Sequence, residues 1–333
     1  MEGGPGRYRS RSMNYDPRLA ALVATADDRW AEPVRGARRP DLFIIGSMKS
    51  GTTYLHSLLG LHPSIFMSRP KEPSAFVEPE QLRRLWPWAW KLGYWKSEER
   101  YLQLFQSAGT ATIVGTGSVY YTHLPLATGV PERIHLFNPN ARLLYVMRDP
   151  VERTISHYWH RVRHHGEHRS LGSAIKNDPQ YRDVSYYAMQ LAPYFGLFRR
   201  DQIKTLTFEE LINNRNQTIA SIFRWLKVDC RVSIATVSPE NVTPNIIKQR
   251  TARSLYGLRE NRFLRAAIDA APDSVRRFAI RMVTRKIDRS CVDTSEITEY
   301  LRPLQQAQTK ELTKLDESFW NGPRFTGDRC LVP

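Results

Sequence analysis

Cysteine is scarce in this 333-residue chain: Cys230, Cys291 and Cys330 form no C-x-x-C pair, and bridging any two leaves an odd thiol. No disulfide framework is expected, and a reducing compartment fits better. Long hydrophobic runs are also missing. No segment approaches the ~20 apolar residues of a membrane-spanning helix, and Arg7, Arg9, Arg11 and Arg18 precede only the short LAALVATA run at 19–26. The reading is a cytoplasmic chain with no membrane span. Repeats, low-complexity tracts and an HExxH motif are absent as well, which disfavours solenoids and the commonest zinc hydrolases. Acidic residues are outnumbered, 33 against 49 Lys and Arg, for a net charge of +16 and a pI near 9.9. Such a surface attracts anions without distinguishing a polyanionic cofactor, a nucleic acid or an acidic polysaccharide. Arginines before residue 40 are interrupted by Asp16, Asp27, Asp28 and Glu32 and lack an aromatic stacking series, so no nucleic-acid arm is expected.

What is present is organised around residues 41–63, DLFIIGSMKSGTTYLHSLLGLHP. Leu42 to Ile45 form a continuous apolar run, the pattern of a strand covered on both faces. Leu55, Leu58, Leu59 and Leu61 return at helical spacing. Between them, Gly46 and Gly51 permit tight turns, and the helix starting near Thr52 presents unpaired N–H groups, so the stretch reads as strand, phosphate loop, helix. A Walker A loop places Lys after its second Gly. Here Lys49 precedes Gly51 and Thr52 follows it, which disfavours an ordinary ATPase.

A second segment, ARLLYVMRDPVERTISHY at 141–158, reads as a buried strand from Leu143 to Met147, then a helix with Val151, Ile155 and Tyr158 on one face. Arg148 and Ser156 could reach one anion beside the carboxyl edge of a parallel sheet. The pair of motifs resembles the 3′-phosphoadenosine 5′-phosphosulfate (PAPS)-dependent sulfotransferases, nearest the carbohydrate-type branch, including heparan sulfate sulfotransferases, and the bacterial branch. KSGTT at 49–53 is similar to their 5′-phosphosulfate loop and RDPVERTISHY at 148–158 to their 3′-phosphate motif. The likeness extends through residues 130–150 and 194–214. It implies an α/β fold, PAPS as donor, adenosine 3′,5′-bisphosphate as product and no obligatory metal. Lys49, Ser50, Gly51, Thr52 and Thr53 would then face the 5′ side, and Arg148 and Ser156 the 3′-phosphate.

Sulfuryl transfer requires the acceptor hydroxyl to lose a proton as it attacks sulfur, so a carboxylate or imidazole within hydrogen-bond reach is expected. The resemblance places that base at Glu72, beside Lys71 and with Phe76 beyond, in the Pro-broken loop SRPKEPSAFVEP at 68–79. The sequence departs from the family there: Ser74 stands where His is common and Val77 where many members have Asp. His123, in a THLP segment similar to the catalytic His segment of the small-molecule-sulfating branch, is a rival base. Around GTGSVYY at 115–121 the family often has an acidic residue at position 116 and in some members a lysine at 117; this chain has Thr116 and Gly117. Lys49 would stabilise charge building on the leaving phosphate.

Further candidates are less local. Trp86, Trp88, Trp90, Tyr94 and Trp95 crowd residues 81–105 as core or as an acceptor wall, and Trp88 and Tyr120 are the proposed acceptor contacts, with Lys71 and Phe76. Arg250 and Arg253 in QRTARSLY are nucleotide-contact candidates. Five histidines lie within 157–170; they read as a basic surface, though His160 and His164 have a metal-compatible spacing. The expected organisation is an N-terminal extension over 1–40, with a possible helix at 17–30, and one α/β domain over 41–333. The acceptor would be a hydroxyl-bearing sugar, lipid or aromatic natural product. A P-loop kinase using ATP and Mg²⁺, with Asp149 as metal ligand, and a non-catalytic polyanion-binding protein are the competing readings.

Overall fold

The computed structural model describes residues 28–30, 34, 38–234, 244–250, 272 and 284–315. Five strands, β1 (Leu42–Gly46), β2 (Ile65–Met67), β3 (Ile113–Gly117), β4 (Arg142–Met147) and β5 (Ile203–Thr207), form one sheet in the order β2-β3-β1-β4-β5. Every pairing is parallel. Burial on both faces explains the unbroken apolar runs: Phe43, Ile45, Leu143, Tyr145 and Met147 enter one core, and Leu42, Ile44, Leu144 and Val146 enter the other. The strand order reverses at β1, with β3 on one side and β4 on the other. That switch point opens a crevice beyond the carboxyl ends of β1 and β4, the usual ligand position in such sheets.

Helix α1 (Thr52–Leu59) follows β1, and its Leu55, Leu58 and Leu59 are buried against the sheet. Leu61, expected on the same stripe, is instead 44% exposed, because α1 ends at Gly60, whose N–H closes on the His56 carbonyl. Helix α2 (Pro150–His164) follows β4, capped by Asp149, whose side chain accepts from the Glu152 N–H. Strand β5 stops at Thr207, which forms a capping box with Glu210 and starts α3 (Phe208–Asn213). Helix α4 (Arg215–Leu226) covers the α1 face, and an antiparallel pair, β6 (Ile246–Arg250) and β7 (Thr284–Asp288), lies outside the main sheet. Helix α5 (Ser295–Leu315) buries Leu301 and Leu312, with Leu304 partly covered. No described helix is long and apolar enough to cross a membrane.

Residues before the first strand are tied into this core. Trp30 is 3% exposed and stacks on Phe76 with ring centroids 4.8 Å apart, and Arg39 pairs with the buried Glu98 at 2.8 Å. Removing a buried indole forfeits its burial and leaves a cavity. Trp30→Ala is therefore expected to destabilise the fold by about 3–5 kcal/mol, read as a lower denaturant midpoint with unchanged slope; an unchanged midpoint would show that residues 28–40 are dispensable to the domain. The expected helix over 17–30 falls mostly outside the described residues; Asp28–Trp30 form a single 3₁₀ turn.

Candidate active site

The loop between β1 and α1 is built from short, internally bonded residues. Ser47 donates from its backbone N–H (2.8 Å) and its hydroxyl (3.0 Å) to the Val146 carbonyl of β4, and Ser50 shares its hydroxyl with Ser47 at 2.6 Å. Gly51 adopts φ +81°, and a Cβ there would lie 2.6 Å from the Phe208 ring, so both conformation and space require glycine. Lys49 also has a positive φ, +70°, an unfavourable conformation for a lysine that the surrounding loop must hold. The first turn of α1 has no side-chain cap, leaving the N–H groups at Thr52 and Thr53 available to an anion.

Cations converge on this loop. Arg148, at the end of β4, donates to the Lys49 carbonyl at 3.5 Å, lies over the Phe208 ring at 5.0 Å and pairs with Glu152 at 3.5 Å. The Tyr187 hydroxyl pins its backbone, donating to the Arg148 carbonyl at 2.7 Å and accepting from its N–H at 3.2 Å. Ser156 is half-buried one turn beyond Glu152, on the same face of α2. Arg153 is wholly buried under the loop, donating to the Met48 carbonyl at 3.5 Å, to the Ser185 hydroxyl and to the Tyr181 carbonyl. Among the described residues none of its hydrogen-bond acceptors is a carboxylate, and burial pushes it down to about 10. Burial, followed by the charges of Arg148, Arg163, Arg289 and Arg153, pushes the Lys49 ammonium down to about 8.

Arg153, Arg163 and Arg289 escaped the sequence reading. Arg153 sits inside RDPVERTISHY but reads as a solvated helix position; Arg289 follows a strand far along the chain and carries no local signal. His160, half-buried, is held neutral, pushed down to about 3 by burial and then by the Lys49 charge. The histidine run thus does not form only a basic surface. His160 and His164 rings lie 4.8 Å apart, and no group of three metal-binding side chains occurs among the described residues. Arg250 ends β6, with its side chain outside the described residues, where Arg253 lies altogether.

A second cluster meets the loop from the β2 side. Lys71 donates to the Thr52 hydroxyl at 3.3 Å and ion-pairs with Glu72. The other Glu72 oxygen accepts from the Val119 N–H at 2.9 Å. Ser74, where the resembled family commonly has His, bonds to Ser118 at 3.1 Å. Tyr120 lies behind the carboxylate; burial and then the Glu72 charge push its phenol up. Trp88, 43% exposed, closes this wall with its ring 6.1 Å from that of Tyr120.

Two expectations change. Phe76 does not line the acceptor site: it is fully buried, packed on Trp30, Phe43, Tyr101, Tyr121 and Phe137, and its ring is core. Most of the tryptophan-rich stretch is likewise packing, since Trp86 is buried on Tyr120 and Trp90 stacks on Trp95. His123 is 1% exposed, its Nε2 3.2 Å from the Gln180 amide and its ring edge-on to Trp86. Burial, then Arg153, pushes it down to about 3, so it is a neutral interior imidazole and a weak proton acceptor. Asp149, the metal ligand of the kinase reading, is committed to capping α2 and accepts from Gln305 at 3.1 Å.

The geometry is that of an α/β protein with a phosphate-type loop, cations gathered beside an uncapped helix start, and the Lys71–Glu72 pair at its edge. The Sulfotransferase family profile matches residues 40–231, and the chain belongs to that family. Over 219 residues it is 26% identical to human bifunctional heparan sulfate N-deacetylase/N-sulfotransferase 2, covering 60% of this chain and 23% of that protein. Human carbohydrate sulfotransferase 15 is 26% identical over 257 residues, 57% of this chain and 44% of that one. The chain thus spans less than half the length of these relatives. Among solved structures, a sulfotransferase from Alicyclobacillus acidocaldarius superposes with a TM-score of 0.52 at 27% identity, over 61% of this chain and 88% of that one.

Proposed function

We propose that the protein moves a sulfuryl group from PAPS to an acceptor hydroxyl and releases adenosine 3′,5′-bisphosphate. The observation that carries this reading is the convergence of Lys49, Arg148 and Arg153 on an uncapped helix start, joined through Thr52 and Lys71 to Glu72. A donor with phosphates at both ends of a nucleoside fits a crevice with two anion sites better than a single triphosphate tail does. When bound, PAPS supplies an activated sulfur with a phosphate leaving group. Lys49 and the N–H groups of Gly51, Thr52 and Thr53 would stabilise the charge that develops on that phosphate; the Ser50 N–H is already donated to the Ser47 carbonyl at 3.3 Å. Arg148 and Ser156 would hold the 3′-phosphate, and Glu72 would take the acceptor proton. We place the acceptor's ring on Trp88, since a rigid aromatic face suits a sugar ring; Tyr120, expected beside it, is buried under Trp86 and backs the wall instead. The names of the relatives, which speak of heparan sulfate and carbohydrate, favour a sugar over a lipid or phenol.

Calorimetric titration tests the donor site. Adenosine 3′,5′-bisphosphate is expected to bind the wild type at least about tenfold more tightly than adenosine 5′-monophosphate, with that preference lost in Arg148→Ala, because a charge-assisted contact to the 3′-phosphate is removed. Selective binding of ATP with Mg²⁺ would instead favour a kinase, and salt-sensitive binding of any polyanion without nucleotide preference would favour a binding protein.

A further inference from the structure

Lys71 is confined between two functional groups. Its side chain is only 14% exposed, and its two hydrogen-bond partners among the described residues are the Thr52 hydroxyl at the start of α1 and the Glu72 carboxylate. Glu72 is held from its other side by the Val119 N–H at 2.9 Å. The ammonium therefore stands where the phosphate loop meets the acceptor wall. An ammonium has three N–H donors, and these two partners use two of them. The third remains for an oxygen brought into the crevice beside Thr52.

Position 117, on the strand next to β1, cannot supply such a charge. It is Gly117, and a Cβ there would lie 3.1 Å from the Ile44 Cβ and 3.2 Å from the Ile44 carbonyl. Thr116, its neighbour, is fully buried and accepts from Ser68 at 3.0 Å. Lys49 approaches from the opposite end of the loop, among the arginines of β4 and α2.

The geometry points to Lys71 as a second catalytic cation, one that contacts the sulfuryl oxygens rather than the phosphates. This assignment rests on the sulfuryl-transfer reading above. In that reaction the bond between sulfur and the leaving phosphate oxygen breaks, its electron pair staying on the phosphate. A bond forms from the acceptor oxygen to sulfur, and the acceptor's proton passes to Glu72. Negative charge on the three non-bridging sulfuryl oxygens must be held throughout, and Lys71 is placed to hold it while keeping the neighbouring carboxylate in position. Lys49 serves the departing end and Lys71 the end under attack.

A comparison of PAPS with adenosine 3′,5′-bisphosphate separates this role from a structural one. Adenosine 3′,5′-bisphosphate lacks the sulfuryl group, so Lys71→Met is expected to leave its affinity within about twofold. PAPS affinity should fall by about tenfold, the scale of one lost hydrogen bond to a charged group. Lys71→Arg, which keeps the charge, should recover part of the PAPS affinity and confirms that the site tolerates substitution. Equal loss for both nucleotides would mean that Lys71 merely braces the loop through Thr52, and unchanged affinity for both would mean that it touches neither; each result overturns the assignment alone. Failure of the wild type to bind either nucleotide would overturn the sulfuryl-transfer reading itself and Lys71's role with it.

Discussion

Lys49→Met is expected to lower kcat by about 100-fold or more, the usual consequence of removing one pre-aimed donor from a site where charge develops. The expectation comes from placement. Lys49 takes a positive φ within the loop, its carbonyl accepts from Arg148, and its side chain is largely buried among four guanidinium groups beside the start of α1. The same crowding makes the site sensitive to pH. Burial and four neighbouring guanidinium groups bring Lys49 down to about 8, whereas in an unfolded chain it titrates at about 10.4. Only the charged form attracts the nucleotide's phosphate. Affinity for adenosine 3′,5′-bisphosphate should therefore be near its plateau at about pH 7 and fall as pH rises through 8, with the ammonium reduced to roughly a tenth of the population one unit higher.

Folding stability of the ligand-free protein should move the other way over the same window. Between about pH 8 and 10 the unfolded chain holds a proton that the folded Lys49 has released, so stability rises with pH there. A lysine contributing both effects predicts that Lys49→Met removes both. Titration calorimetry from pH 7 to 9.5, beside denaturant midpoints at the same pH values, measures them together. Loss of affinity above pH 8 that persists in the variant would assign the titration to another group.

How much of this was legible in the sequence depended on whether the chemistry was local. The Leu42–Ile45 run and its break at Gly46 specify a buried strand and a turn, and both appear. Arg148 and Ser156 were legible as candidates because the strand ending just before Arg148 leads directly into a regular helix that carries Ser156 in its second turn, beside the same carboxyl edge of the sheet. The aromatic residues misled for a physical reason: an indole or phenyl ring is as good a core filler as a binding surface, and composition does not say which side of the sheet has room. Phe76 went to the interior because Trp30, 46 positions earlier, closes over it. Arg153 was missed by the converse error, since an arginine on a helix is ordinarily solvated, and only the meeting of α2 with the phosphate loop shows that its guanidinium is enclosed. Arg289 needed the β6–β7 pair to bring it back to the crevice.

Glu72→Gln is expected to lower kcat by about 100- to 10,000-fold, the range for loss of a positioned general base, while leaving adenosine 3′,5′-bisphosphate affinity within about twofold. The substitution keeps the shape of the side chain, and its amide oxygen can still accept from the Val119 N–H that fixes Glu72 now. What it removes is the capacity to take a proton and the counter-charge to Lys71. His123 provides the contrast. It is interior, bonded to Gln180, flanked by Trp86 and Tyr120, and depressed to about 3, so His123→Gln should reduce stability more than rate. Single-turnover measurements with PAPS and a panel of sugar acceptors, run beside thermal unfolding of both variants, separate the two. If the Glu72 variant kept kcat within tenfold of wild type while a folded His123 variant lost it, the base would lie in the interior and the crevice floor would have to open for the acceptor to reach it. If both kept their rate, the acceptor would bring its own activated oxygen and the Lys71–Glu72 pair would serve only to hold the loop closed over Thr52.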